Sequence, residues 1–253
     1  MRADNVPVVG LRYWVAISLA SIAGCNTGDF VAFILKAGHL AGLVPLAILL
    51  AALLWGEKAV SRPLQLWYWG AILVIRTAAT NLADQLTHTL HIPYPWAFAG
   101  LEFLQVLLVL AIPVTIALAT PSGQIRPTTG FWYWAAMLCA GTLGTAIGDC
   151  VADNVVDGPG YATLWLAPIT VIVLLAGKRT GWSEKGAYWI GIVAVRAAGT
   201  TAGDYLTEPF GYKLGLVTAT AISCAALVAM LWLWRPTERA RQLPVSQEPL
   251  SQA

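Results

Sequence analysis

Apolar residues collect along the chain in eight stretches, at roughly 12–34, 39–56, 67–89, 94–119, 131–152, 160–177, 187–207 and 212–234, with short polar connections between them. A helix rises about 1.5 Å per residue and a bilayer's hydrocarbon layer is about 30 Å thick, so a stretch near 20 residues is of spanning length. The pattern predicts eight transmembrane helices. In every second stretch an acid interrupts the apolar run at one fixed place. A Tyr-Trp pair opens the run and an aspartate follows 15 residues after the Trp: Tyr13-Trp14 to Asp29, Tyr68-Trp69 to Asp84, Tyr133-Trp134 to Asp149, and Tyr188-Trp189 to Asp204.

The intervals between these acids are 55, 65 and 55 residues, so Asp29 and Asp149 stand 120 apart, as do Asp84 and Asp204. Arg76 and Arg196 obey the same translation. Such self-similarity predicts four two-helix units arranged as a duplicated pair. The first half covers 1–120, with units at 12–58 and 67–119; the second covers 131–235, with units at 131–178 and 187–234. Segment 121–130, punctuated by Pro121, Gly123 and Pro127, reads as the linker. Segment 236–253, rich in Arg, Gln, Ser and Pro, reads as a disordered cytoplasmic tail.

Composition narrows the class. With 58% hydrophobic residues, 11% charged, twelve tryptophans and a mean hydropathy of +0.67, the chain belongs among polytopic membrane proteins. A net charge of +2 carries no argument for nucleic acid. The basic residues are more informative. Arg2, Arg12, Lys58, Arg62, Arg126, Lys178, Arg179, Lys185, Arg235, Arg239 and Arg241 flank or separate the units, whereas the loops inside the units hold only Lys36 and Lys213. The positive-inside rule then puts both termini in the cytoplasm. Each unit crosses twice, so all four enter alike and the repeat is parallel. The first stretch lacks a short apolar core with a small-residue cleavage site, and we expect it to be retained as a span.

Small residues stand five and one positions before each acid: Gly24 and Gly28, Ala79 and Ala83, Gly144 and Gly148, Gly199 and Gly203. Faces of this kind let helix backbones approach closely in lipid. Four positions before the acid come Thr80, Thr145 and Thr200, with Cys25 in the first unit, so the signature is Gly-Thr-x-x-Gly-Asp. Together with the Trp and a following Gly-Tyr, seen at Gly160-Tyr161 and Gly211-Tyr212, this signature resembles a family of bacterial membrane proteins built of four tandem two-span repeats of unknown function. The likeness runs from Tyr13 to Trp234. It implies an all-α integral membrane fold in the bacterial inner membrane and brings no activity with it. The first copy, Gly24-Cys25-Asn26-Thr27-Gly28-Asp29, departs from the Gly-Glu-Thr-x-Gly-Asp form that members often carry there.

A charge inside a bilayer costs roughly 3 kcal/mol or more, which makes repeated intramembrane acids functional candidates. Asp29, Asp84, Asp149 and Asp204, with Thr80, Thr145, Thr200, Asn26 and Asn81, are the expected ion-binding set. The asparagines also suit packing between helices. Arg76 and Arg196 lie about 12 Å short of the acids on their own helices, so they are expected as counter-charges or gates rather than simple partners. One turn past the acids come Phe33, His88, Asp153 and Glu208, which make Asp84/His88, Asp149/Asp153 and Asp204/Glu208 candidate pairs for a divalent metal. Polar residues at the outer interface would look the same. Glu102 has no counterpart in the second half, where Ile222 stands. It reads equally as a proton-coupling group or as a carboxyl paired with Arg76.

Cys25, Cys139, Cys150 and Cys224 show no metal or redox spacing. His39, His88 and His91 form no metalloprotease pattern, and no nucleotide loop or nucleophile elbow is present. Trp14, Trp67, Trp69, Trp132, Trp134, Trp182 and Trp189 are expected as interfacial anchors.

Three readings follow. One is a secondary transporter for a small cation, such as divalent manganese, exchanged for protons, with no resident cofactor. Another is a non-transporting scaffold whose buried Asp and Arg are structural pairs. The third is an intramembrane enzyme using a carboxylate pair such as Asp149 and Asp153, which lacks an evident nucleophile. The expected partners are the lipid bilayer and a small ion, with homo-oligomerisation left open and no nucleic acid.

Overall fold

The computed structural model of the chain describes residues 1, 5–60, 64–112, 127–180, 185–207 and 213–233. Among these are eight α-helices and no strand: α1 (Leu11–Asp29), α2 (His39–Ala59), α3 (Leu66–Asp84), α4 (Tyr94–Ala111), α5 (Phe131–Asn154), α6 (Pro159–Thr180), α7 (Lys185–Thr207) and α8 (Leu216–Leu233). Glu208, Trp182, Gly211-Tyr212, linker residues 121–126 and the tail beyond 233 lie outside the described residues. Six helices are long and apolar enough to cross a membrane: α1 with its extension, α2, α4, α5, α6 and α8. The other two, α3 and α7, carry the buried arginines as well as an acid.

The odd-numbered helices close a ring, α1 on α3, α3 on α5, α5 on α7 and α7 on α1. Each even-numbered helix lies outside it against the next inner one: α2 on α3, α4 on α5, α6 on α7, α8 on α1. The outer helices expose Leu, Ile and Val broadly, as at Leu110, Leu164, Ile172 and Val228. An apolar belt of this extent marks a surface meant for lipid rather than water. The inner helices are lined instead by alanine, glycine and hydroxyl residues. Lipid is as apolar as leucine, so close backbone packing holds the ring. A Cβ added to Gly24 would stand 2.3 Å from Arg76 Cβ, and one on Gly144 would stand 2.6 Å from Arg196 Cβ. Only glycine admits the neighbouring helix at these crossings.

At one end of the ring four tyrosine hydroxyls meet in a closed cycle: Tyr13–Tyr68 2.9 Å, Tyr68–Tyr133 2.6 Å, Tyr133–Tyr188 3.0 Å and Tyr188–Tyr13 2.5 Å. The paired tryptophans do not sit at an interface as expected. Trp14, Trp69, Trp134 and Trp189 are buried, each edge-on to its own Tyr and tilted against the Tyr of an adjacent helix. Consecutive residues point about 100° apart on a helix, and an inner helix has neighbours on both flanks, so both rings of each pair turn inward. Of the remaining anchors, Trp132 is exposed and Trp67 half-buried. Outside the tyrosine cycle, Asn5 bonds Glu57 of α2 and accepts the Leu64 N–H at 2.7 Å, closing this end against the segment before α3.

The Gly-rich segments do not interrupt their helices. α1 and α3 run through to Asp29 and Asp84, and there each widens into one π-helical turn, Phe30–Ile34 and Gln85–Thr89. α5 and α7 stay α-helical to Asn154 and Thr207. π-turns of this kind gather at functional sites.

Candidate functional site

The acids stand at the end of the ring opposite the tyrosines, so α1, α3, α5 and α7 run in the same direction. The four carboxylates form two close pairs drawn from adjacent helices. Asp29 of α1 and Asp204 of α7 come together with Cys25, their ligand atoms all within 4.8 Å of one another. Asp84 of α3 and Asp149 of α5 do the same with His88. In the first group the Cys25 thiol donates to Asp204 Oδ1 at 3.1 Å. In the second, His39 Nδ1 from the first residue of α2 stands 3.5 Å from Asp84 Oδ2, and Asp149 Oδ2 is buried without a hydrogen-bond partner.

Between the acids and the tyrosines lie the two arginines, both fully buried. Each nitrogen of Arg196 makes a bond: Nε donates to Thr145 Oγ1 at 2.8 Å, Nη1 to the Ser21 carbonyl at 2.8 Å and Nη2 to Thr80 Oγ1 at 2.5 Å. It thereby joins α7 to α5, α1 and α3. Arg76 reaches toward α5, with Nη1 3.6 Å from where a Cβ on Gly141 would stand, and none of its three nitrogens has a hydrogen-bond partner. Neither guanidinium bonds an aspartate, in keeping with the axial separation between them.

The other expected residues divide. Thr80, Thr145 and Thr200 line the ring interior, with Thr200 Oγ1 donating to Thr145 Oγ1 at 3.4 Å. Asn26 faces the outer layer, where its Nδ2 donates to Ser223 Oγ on α8 at 3.3 Å. Asn81 is fully buried against α2, where it contacts His39, and its Nδ2 is 3.3 Å from where a Cβ on Gly42 would stand. Asp153 is exposed and accepts the Tyr94 hydroxyl at 3.1 Å, apart from the two carboxylate groups. Glu102 is exposed on α4. His88 is exposed but close to the acids, which makes it the reachable edge of the second group.

Sequence reasoning did not reach the tyrosine cycle, the buried Glu57 or the approach of His39. The recurring Tyr was visible, but nothing in one helix says which residues of other helices it meets. His39 carried a faint signal as the first helical residue after the short turn that follows the acid.

An all-α, membrane-type bundle with acids gathered inside one end is the class that fold and site define. Residues 187–240, the segment holding α7 and α8, match a family described as Repeat of Unknown Function (DUF347). No curated protein and no solved structure gives a significant match to the chain.

Proposed function

We propose that the protein is a secondary transporter that exchanges a small divalent cation, of which manganese is an example, for protons. In this reading the chain crosses the bilayer eight times as four parallel two-helix repeats, α3 and α7 crossing with the inner helices they pack between. The tyrosine end, where Arg12 and Lys58 lie, faces the cytoplasm together with both termini. The acids then open toward the outer face. The observation that carries the reading is the meeting of four intramembrane carboxylates in two pairs, for which two buried arginines supply only half the opposing charge. With all four deprotonated, the balance of two negative charges suits one divalent ion.

A carboxylate that binds a cation must give up any proton it holds, so ion binding expels protons and ion release invites them back. Arg196, fixed by three helices, is the permanent counter-charge. Arg76, unpartnered, is the one able to move during the cycle. The tyrosine cycle seals the inner end while the acids are loaded. Purified full-length protein in liposomes tests this. A cation gradient should drive proton movement, and Asp149→Asn with Asp204→Asn should abolish it. Equal movement in both proteins, or none above empty vesicles in the wild type, overturns the reading.

The scaffold reading retains one supporting observation: Arg196 ties four helices through neutral oxygens and needs no transported ion to do so.

A further inference from the structure

We infer that the Asp84–Asp149 half of the acid layer is an equilibrium binding site for a borderline first-row divalent cation, held by two carboxylates and the His88 imidazole with His39 against Asp84. The inference rests on the reading above in taking Asp84 and Asp149 as ion ligands. It goes further in placing the ion in one of the two pairs and in naming its chemical class.

Three observations lead there. Asp84, His88 and Asp149 come from two helices, yet their ligand atoms lie within 4.8 Å of one another, close enough to share one ion. The donors nearby are unspent. Asp149 Oδ2 is buried with no hydrogen-bond partner, and His39, which Asn81 of α3 contacts, holds its Nδ1 3.5 Å from Asp84 Oδ2, beyond hydrogen-bond length. Buried polar groups are normally paired, so an unpartnered Asp149 oxygen beside a second carboxylate and an imidazole marks a place where a cation can complete the set. The π-turn Gln85–Thr89 sets the position of His88 relative to Asp84, and His88 itself is exposed, which provides an entry path.

The pseudo-equivalent group at Asp29 and Asp204 differs in what it offers. Its third member is the Cys25 thiol, which is already committed to Asp204. Imidazole with carboxylate suits manganese, iron, cobalt or zinc, whereas magnesium and calcium prefer oxygen alone. The second group is therefore the selective one.

The full-length protein in detergent, titrated with Zn²⁺ by calorimetry, tests the site. We expect one equivalent to bind, with affinity reduced about tenfold or more in His88→Ala and in Asp149→Asn. Cys25→Ser should leave binding unchanged, and a large excess of Mg²⁺ should not displace the ion. His88 is exposed, so its variant keeps the fold, to be checked by an unaltered melting temperature. Absence of saturable Zn²⁺ binding, affinity indifferent to His88→Ala, or ready displacement by Mg²⁺ would each overturn the inference. The same variants in liposomes separate it from transport. Zn²⁺ binding with the expected dependence but no flux removes the transporter and keeps the site. Cation-driven flux that survives His88→Ala, with no Zn²⁺ bound, keeps the transporter and removes the site.

Discussion

Arg76 and Arg196 occupy corresponding places 120 residues apart, equally buried, yet one has every nitrogen satisfied and the other has none. The counterparts of the groups that hold Arg196 are turned elsewhere. Thr145 corresponds to Cys25, whose thiol is a weak acceptor and is turned to Asp204. Ser21 corresponds to Gly141, whose carbonyl already accepts the Thr145 hydroxyl at 3.0 Å. Thr80 corresponds to Thr200, whose hydroxyl is directed at Thr145. The clearest chemical difference is the single Thr-to-Cys exchange, which takes from Arg76 the hydroxyl acceptor that Arg196 Nε uses.

The largest effect that would break this comparison is on the Arg196 side. Arg196→Leu should lower stability by about 3 kcal/mol, because it removes three buried hydrogen bonds and unties four helices. Thermal unfolding in detergent reads the loss, and a melting temperature equal to wild type would refute that tying role. Next comes the crossing itself. Gly144→Ala places a Cβ 2.6 Å from Arg196 Cβ and should cost about 2 kcal/mol through overpacking, visible in the same assay. The comparison is sharpened by Cys25→Thr, which gives Arg76 the hydroxyl its twin enjoys. We expect a gain of about 1 kcal/mol in melting experiments, together with slower cation exchange in liposomes if mobility of Arg76 serves the cycle. Smallest is Arg76→Leu. Removing a buried charge that makes no hydrogen bond should leave stability within about 1 kcal/mol of wild type, while proton-coupled flux is lost. A large destabilisation would show that Arg76 is held by contacts other than hydrogen bonds.

Depth along a helix was legible in the sequence; neighbours across helices were not. Counting from Trp to Asp put the acids at one level and the arginines well below them, and that axial order is what the structure displays. The small residues before each acid announced close crossings, and Gly24 and Gly144 sit at two of them. Which partner each face would meet depends on ring closure, and no period within one helix encodes that. Trp14, Trp69, Trp134 and Trp189 were misjudged for this reason, since a tryptophan near a span end looks alike whether it faces lipid or a neighbouring tyrosine. The π-turns after Asp29 and Asp84 left no mark that would separate them from the α-helical continuations after Asp149 and Asp204. Four residues of the acid layer could be named in advance, but their division into a thiol-bearing and an imidazole-bearing pair required coordinates.

The tyrosine cycle has a property that no single pair of hydroxyls possesses. Each oxygen can give one hydrogen and receive one, so the loop is complete in either sense of rotation, and the two senses differ by no movement of heavy atoms. Such a closed circuit leaves no lone donor among the four hydroxyls. Breaking one link leaves the other three in place, so the four inner helices stay tied at this end through any single loss.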